Sequence, residues 1–363
     1  MKHVINPWRV LIKGIGLYFV FEIILAFSNL NPGFISIYKL PFLSRERFPF
    51  STAPHSQDSA LDVGIIDTIF EAHIISRPKS ENEYRLIILG DSAVWGDPLP
   101  SDETLASQIN KLNLTCNNKN IVAYNLGYPL PSAIKDIMIL DKAKQYNPDQ
   151  ILWEVTLQTL LTKQVDEHPI LGLNPTSLEG LNLSYHILRG KPKTLSLDER
   201  LREKNIALYR SLRFQTYGII QFITGIDQIQ EENSSFDRTL SSDLTYQEIQ
   251  PPTLDAKEIN FQLIKIFEVV AGDTPVTLIN EPILQIKDVP NSDIRYNAYY
   301  PRWVYDQYRN YLSQATEENH WSYLDYWDKF SVEYFANTPL HLNRHGEKLL
   351  AQMLSQTILK NCH

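Results

Sequence analysis

The sequence predicts an α/β domain built on a parallel sheet with helices on both faces, and three observations point to it. Short apolar runs ending at glycine or at a polar turn recur along the chain, each the length of one buried strand. Stretches with apolar residues at helical spacing lie between them. Strands alternating with helices in this way form βαβ units, whose crossovers cover both faces of a sheet. The first strand is read at 84–89 (YRLIIL), closing at Gly90, the second at 121–126 (IVAYNL), closing at Gly127, and the third at 150–155 (QILWEV). Residues 275–280 (PVTLIN) make a fourth, and 321–326 are the candidate fifth.

The helices follow from periodicity and end signals. Leu61, Ile65, Ile66, Ile69, Phe70 and Ile74 give 59–75 one apolar face. Residues 132–146 read as a helix stopped by Asn147-Pro148. Asp255 with Glu258 three residues on is a capping-box arrangement, opening a helix that ends near Gly272. Pro301 stands at a preferred first helical position, and 346–359 form a last amphipathic helix. Between 161 and 252 the alternation lapses, leaving an insertion with a charged helix at 197–211 and a polar tract at 231–243. The chain therefore divides into an N-terminal segment (1–30), a stalk or strap with a short amphipathic helix (31–83), and the α/β domain (84–363) with its insertion.

Composition bounds the function. With 363 residues, 43% hydrophobic and 21% charged, the chain can bury a core in one enlarged domain. A net charge of −8 with scattered basic residues excludes a nucleic-acid surface. No spacing of Cys and His suggests a metal site, and no motif calls for a cofactor. Cys116 and Cys362 read as two free thiols, with a bridge as the alternative in an oxidising compartment. Residues 14–27 (GIGLYFVFEIILAF), with Lys2, Arg9 and Lys13 upstream, resemble an uncleaved signal anchor or a secretory signal cut after Ala26-Phe27-Ser28. Either places the rest of the chain outside the cytoplasm, membrane-anchored or secreted. A buried or interfacial helix is the alternative, and Glu22 inside a span would be unfavourable by a few kcal/mol. Tyr296, Tyr299, Tyr300, Trp303, Tyr305 and Tyr308 could stack sugar rings, but at near-helical spacing packing is the favoured reading.

The chemistry is expected at the carboxyl ends of the strands, where open α/β sheets bind ligands. The turn after the first strand reads Gly90-Asp91-Ser92-Ala93-Val94-Trp95-Gly96. A serine on a sharp strand-to-helix turn projects its hydroxyl outward, and its own N–H can face a developing oxyanion. Such a serine needs a base within hydrogen-bond reach. His341, in Leu340-His341-Leu342-Asn343 before a helix near Gly346, is the candidate.

GDSAVWG resembles the first block of the SGNH (GDSL-type) hydrolases, and TPLHLNRHGEKLLA resembles their last. The resemblance covers about 84–160 and 255–360. It implies a flavodoxin-like three-layer α/β/α fold, Ser92 as nucleophile, His341 as base, and the N–H groups of Ser92 and Gly127 in the oxyanion hole. Two departures stand out. The third block of the family carries an asparagine donor where this chain reads Trp153-Glu154-Val155-Thr156-Leu157-Gln158, leaving Thr156 or Gln158 as substitutes. The family's aspartate three residues before the histidine is Thr338 here, with Asn337 beside it. Asp325, Asp328 and Asn337 are thus the candidates for the third member, with a Ser-His dyad as the alternative. The implied function is an esterase or acyltransferase for acyl esters, envelope polysaccharides being the substrates by analogy, attached to the membrane through the N-terminal helix. The competing reading is a non-catalytic binding or assembly protein on a decayed hydrolase fold.

Overall fold

Strand β1 (Glu83–Leu89) is buried along its whole length, as a Leu- and Ile-rich run without alternation requires, and the sheet forms around it. The computed structural model describes residues 6–27, 36–40, 43–50, 64–163, 167–187, 196–224 and 238–362. Helices α1 (Pro7–Phe27) and α2 (Ile66–Ala72) precede β1. After it come α3 (Ser92–Trp95), α4 (Leu105–Lys111), β2 (Thr115–Cys116), β3 (Lys119–Asn125), α5 (Ala133–Ala143), β4 (Gln150–Val155) and α6 (Leu157–Leu160). Helices α7 (Pro169–Leu173), α8 (Pro175–Tyr185) and α9 (Leu197–Thr224) fill the region where the alternation lapses. Helix α10 (Gln262–Ala271), β5 (Val276–Asn280), α11 (Arg302–Asn319), β6 (Tyr323–Asp325) and α12 (Arg344–Lys360) complete the chain.

The six strands lie in the order β2-β3-β1-β4-β5-β6, all parallel except β2, which runs antiparallel to β3. Leaving β2 aside, the parallel strands follow the flavodoxin-like order 2-1-3-4-5, so the chain changes direction between β1 and β4. On one face Ile87, Leu89, Ile151, Trp153 and Leu278 pack against α5, α10 and α11, with Trp153 stacked on Phe267 at 3.8 Å. On the other, Leu86, Ile88, Leu152 and Ile279 meet α4 and α12. Residues 36–40 and 43–50 strap the first face, burying Tyr38, Leu43, Arg47 and Phe48.

Several expectations are corrected. Strand β2 was not expected, being too short to show a period. Asp255 caps only a single 3₁₀ turn, because Ile259, in extended conformation, bridges to Leu161 and the Asn260 N–H bonds to the Leu160 carbonyl; α10 starts only at Gln262. The charged helix runs on to Thr224, and Pro301 precedes the first turn of α11 instead of entering it. The favoured packing reading of the aromatic cluster agrees with the burial of Tyr296, Tyr300, Tyr305 and Tyr308, whereas Tyr299 is 42% exposed. Leu61, Ser28 and the stretches 51–58 and 231–237 lie outside the described residues.

Helix α1 packs on α9, where the Asn205 side-chain amide donates to Glu22 Oε2 at 2.9 Å. Its consecutive residues from Leu17 to Phe21 are each at least 45% exposed, so apolar side chains face outward all round. Among the described residues no helix is long and apolar enough to cross a membrane.

Cys116 and Cys362 form a disulfide with a Cα–Cα separation of 5.6 Å, which corrects the reading of two free thiols. Helix α12 packs on α4 and ends beside β2, a proximity that a sequence separation of 246 hides. Closing so long a loop restricts the unfolded chain. Cys116→Ser should therefore lower stability by about 2–4 kcal/mol, measured as a shift in thermal midpoint. Reductant should shift the wild-type midpoint equally and leave the variant unmoved; equal midpoints throughout would refute the structural role of the bridge.

Candidate active site

Ser92 is the first residue of α3, immediately past the end of β1. Asp91 caps this short helix by accepting from the Ala93 N–H at 2.9 Å. Gly96 ends it in the left-handed region (φ 90°), and the Gly96 and Asp97 N–H groups both return to the Ser92 carbonyl, at 3.0 and 3.1 Å. The nucleophile candidate and Asp97 therefore belong to one tight turn.

His341 arrives from the other end of the chain. After β6 the backbone crosses the end of β5, where the Leu284 N–H bonds to the Pro339 carbonyl. Thr338 Oγ1 accepts from the Leu340 and His341 N–H groups, and Asn343 caps α12 by accepting from His345 and Gly346. Between these two fixed turns the imidazole reaches Ser92, with Ser92 Oγ and His341 Nε2 2.9 Å apart. On its far side His341 Nδ1 is 2.9 Å from Asn337 Oδ1 and 3.7 Å from Asp97 Oδ2. The Asn337 amide donates in turn to the Asp97 carboxylate. Burial lowers the His341 pKa, and the negative charges of Asp97 and Asp91 oppose that shift.

Of the three candidates for the third member, the structure brings only Asn337 to the imidazole. Asp325 accepts from Asn280 at 2.9 Å and from Arg309 at 2.8 Å, and Asp328 pairs with Lys329. The sheet order explains the correction: β6 is at the edge, three strand spacings or about 14 Å from β1. Asp97 is the residue that sequence reading missed. It directly follows the GDSAVWG block, but nothing in its spacing shows that it faces His341.

The oxyanion donors also need correction. The Ser92 N–H has no acceptor among the described residues, so it is available. The Gly127 N–H donates to Asn125 Oδ1 at 3.1 Å. Gly127 is required sterically, since a Cβ there would lie 2.4 Å from the Trp95 backbone nitrogen. Thr156 caps α6, its N–H donating to Thr159 Oγ1, and so is not free to replace the missing asparagine.

Beneath the turn lies a buried acidic layer. Burial, reinforced by the Asp91 charge, pushes Glu154 up to about 8, and burial holds Glu281 and Glu347 well above the usual carboxyl range. Among the described residues no group of His, Cys, Asp and Glu could hold a metal ion. The folded chain thus keeps protons that the unfolded chain releases near pH 4.5, so stability falls as pH rises from about 4.5 to about 8. Each such group contributes up to about 1.4 kcal/mol per pH unit in that window. Glu154→Gln should flatten this dependence, as read from denaturant unfolding at pH 5.5 and 7.5; an unchanged slope would contradict the assignment.

No family model matches the sequence, and no curated protein matches it. Among solved structures, a carbohydrate acetylesterase family member from Sinorhizobium meliloti is similar at 11% identity, with a TM-score of 0.33, over 77% of this chain and 98% of its own. A lipase/acylhydrolase from Enterococcus faecalis is similar at 12% identity, with a TM-score of 0.36, over 77% of this chain and 97% of its own. A protein described as lipolytic and of the G-D-S-L family, from Desulfitobacterium hafniense, is similar at 10% identity, with a TM-score of 0.33, over 75% and 98%.

Proposed function

We propose that this chain is a serine hydrolase of SGNH type that cleaves or transfers acyl groups of esters. The observation that carries the reading is the 2.9 Å contact between Ser92 Oγ and His341 Nε2 at the point where the sheet reverses direction. A serine hydroxyl at neutral pH is a weak nucleophile, and an imidazole in this position removes its proton as the Oγ–C bond forms. The carbonyl oxygen becomes an oxyanion facing the Ser92 N–H. The His341 imidazolium then returns the proton to the leaving alkoxide, which departs as an alcohol. Water attacking the acyl-serine, deprotonated by the same imidazole, completes hydrolysis; an acceptor alcohol in place of water completes acyl transfer. Acylated carbohydrate is the substrate class we propose, on the sequence resemblance alone.

Ser92→Ala and His341→Ala should each reduce turnover of p-nitrophenyl acetate by at least about 10³-fold with an unchanged circular dichroism spectrum. Wild-type activity in Ser92→Ala would overturn the proposal.

We further propose that the α/β domain lies outside the cytoplasm, held at a membrane by α1. Support comes from the outward-facing apolar side chains of α1, with Arg9 and Lys13 near its start, which suit a lipid surface. The Cys116–Cys362 bridge suits an oxidising compartment. Deleting residues 1–35 should move the expressed protein from the membrane to the soluble fraction. A full-length chain recovered entirely in the soluble fraction speaks against the tether.

A further inference from the structure

Asn337 occupies the place beside His341 where a triad would put a carboxylate, and an amide can orient an imidazole without neutralising its positive charge. The orientation of that amide follows from its other neighbour. An ionised carboxylate only accepts, so Asn337 must turn its N–H toward Asp97 and its carbonyl oxygen toward His341. The Asn337 oxygen then selects the tautomer with the proton on Nδ1, leaving the Nε2 lone pair to face the Ser92 hydroxyl at 2.9 Å.

We propose that Asp97 supplies, across the Asn337 amide, the counter-charge for the His341 imidazolium, giving a four-residue chain Ser92–His341–Asn337–Asp97. This rests on the reading of Ser92 and His341 as nucleophile and base. Asp97 acts through another residue and is therefore a positioning residue; it takes no proton during the reaction.

Three features support the assignment. Asp97 Oδ2 lies 3.7 Å from His341 Nδ1, close enough for a direct electrostatic effect. The Asp97 N–H is bonded to the Ser92 carbonyl, so counter-charge and nucleophile are carried by one turn and keep a fixed separation. Burial raises the Asp97 pKa, and the charge of His341, the Asn337 amide and, least, Arg47 favour the ionised form against it. Arg47 is itself held by the carbonyls of Trp95, Gly96 and Leu99 and by the Trp95 ring, 3.8 Å from its guanidinium. The other charged group facing His341 is Asp91, whose carboxylate is occupied in capping α3 and which acts more weakly than Asp97. Thr338 is neutral and bonds only to backbone, while Asp325 and Asp328 are engaged elsewhere.

The test compares wild type, Asp97→Asn, and Asp97→Asn combined with Asn337→Asp, all in the full chain. Two readouts are followed: the His341 pKa by ¹⁵N-histidine NMR titration, and kcat/KM for p-nitrophenyl acetate. Asp97→Asn should lower the His341 pKa by about 1 unit or more and cut kcat/KM by about 10²–10⁴-fold, the upper figure being the handicap of a triad whose aspartate is replaced by asparagine. The double variant places the carboxylate directly against Nδ1 and should return both quantities toward wild type. An unchanged pKa in Asp97→Asn overturns the proposal, as does a loss of activity that the double variant fails to rescue. If the wild-type chain turns over no ester, the hydrolase reading fails, while the titration still decides whether Asp97 and His341 are coupled.

Discussion

Lys135 is fully buried, and its ammonium donates to the Gly90 and Tyr128 carbonyls at 2.8 and 2.6 Å while pairing with Asp136 at 2.9 Å. Those carbonyls belong to the ends of β1 and of the segment after β3, so one cation ties together the two loops that frame Ser92. A buried ammonium is stable only when its donors are matched and opposite charge lies near. The surrounding carboxyls meet that need unevenly: Asp136, though burial raises its pKa too, pairs with Lys135, which opposes the shift, whereas burial holds Glu154, Glu281 and Glu347 toward their neutral forms. Most of the acidic layer therefore adds little charge at neutral pH, and the negative potential at His341 comes mainly from Asp97 and Asp91 on the turn itself.

That division separates support from chemistry. Below the turn, Lys135, the capped start of α3 and the close approach of Gly127 to Trp95 fix the backbone that carries Ser92. Above it, two short turns at Thr338 and Asn343 fix His341. Because both partners are anchored by backbone hydrogen bonds, their 2.9 Å separation needs no substrate to assemble it. The donor set for an oxyanion is sparser. The Ser92 N–H is available while the Gly127 N–H is bonded to Asn125, which makes electrostatic stabilisation by this site weaker than two donors would give.

How much of this could be read from sequence depended on whether the signal was local. The strands at 84–89 and 150–155 announced themselves as apolar runs, and Ser92 and His341 were recognisable because each sits at the end or entrance of an element. The counter-charge was hidden because it depends on sheet order, which no single segment encodes. Asp325 and Asp328 follow the last strand, and only the placement of β6 at the edge shows that they lie far from Ser92. Asp97 lies only five residues after Ser92, yet its backbone direction follows the left-handed turn at Gly96. The disulfide was invisible for the same reason, since Cys116 and Cys362 meet only once α12 lies along α4. Gly127 was expected as an oxyanion donor, whereas its N–H is bonded to Asn125 and the position demands glycine for close packing against Trp95.

The central claim is that Ser92 is activated by His341. It is tested most directly by treating the folded protein with a fluorophosphonate and mapping the modified peptide by mass spectrometry. A single adduct is expected, on Ser92, that forms in the wild-type chain and is lost in His341→Ala. An adduct on a different serine, or no adduct on the correctly folded wild-type protein, would contradict it.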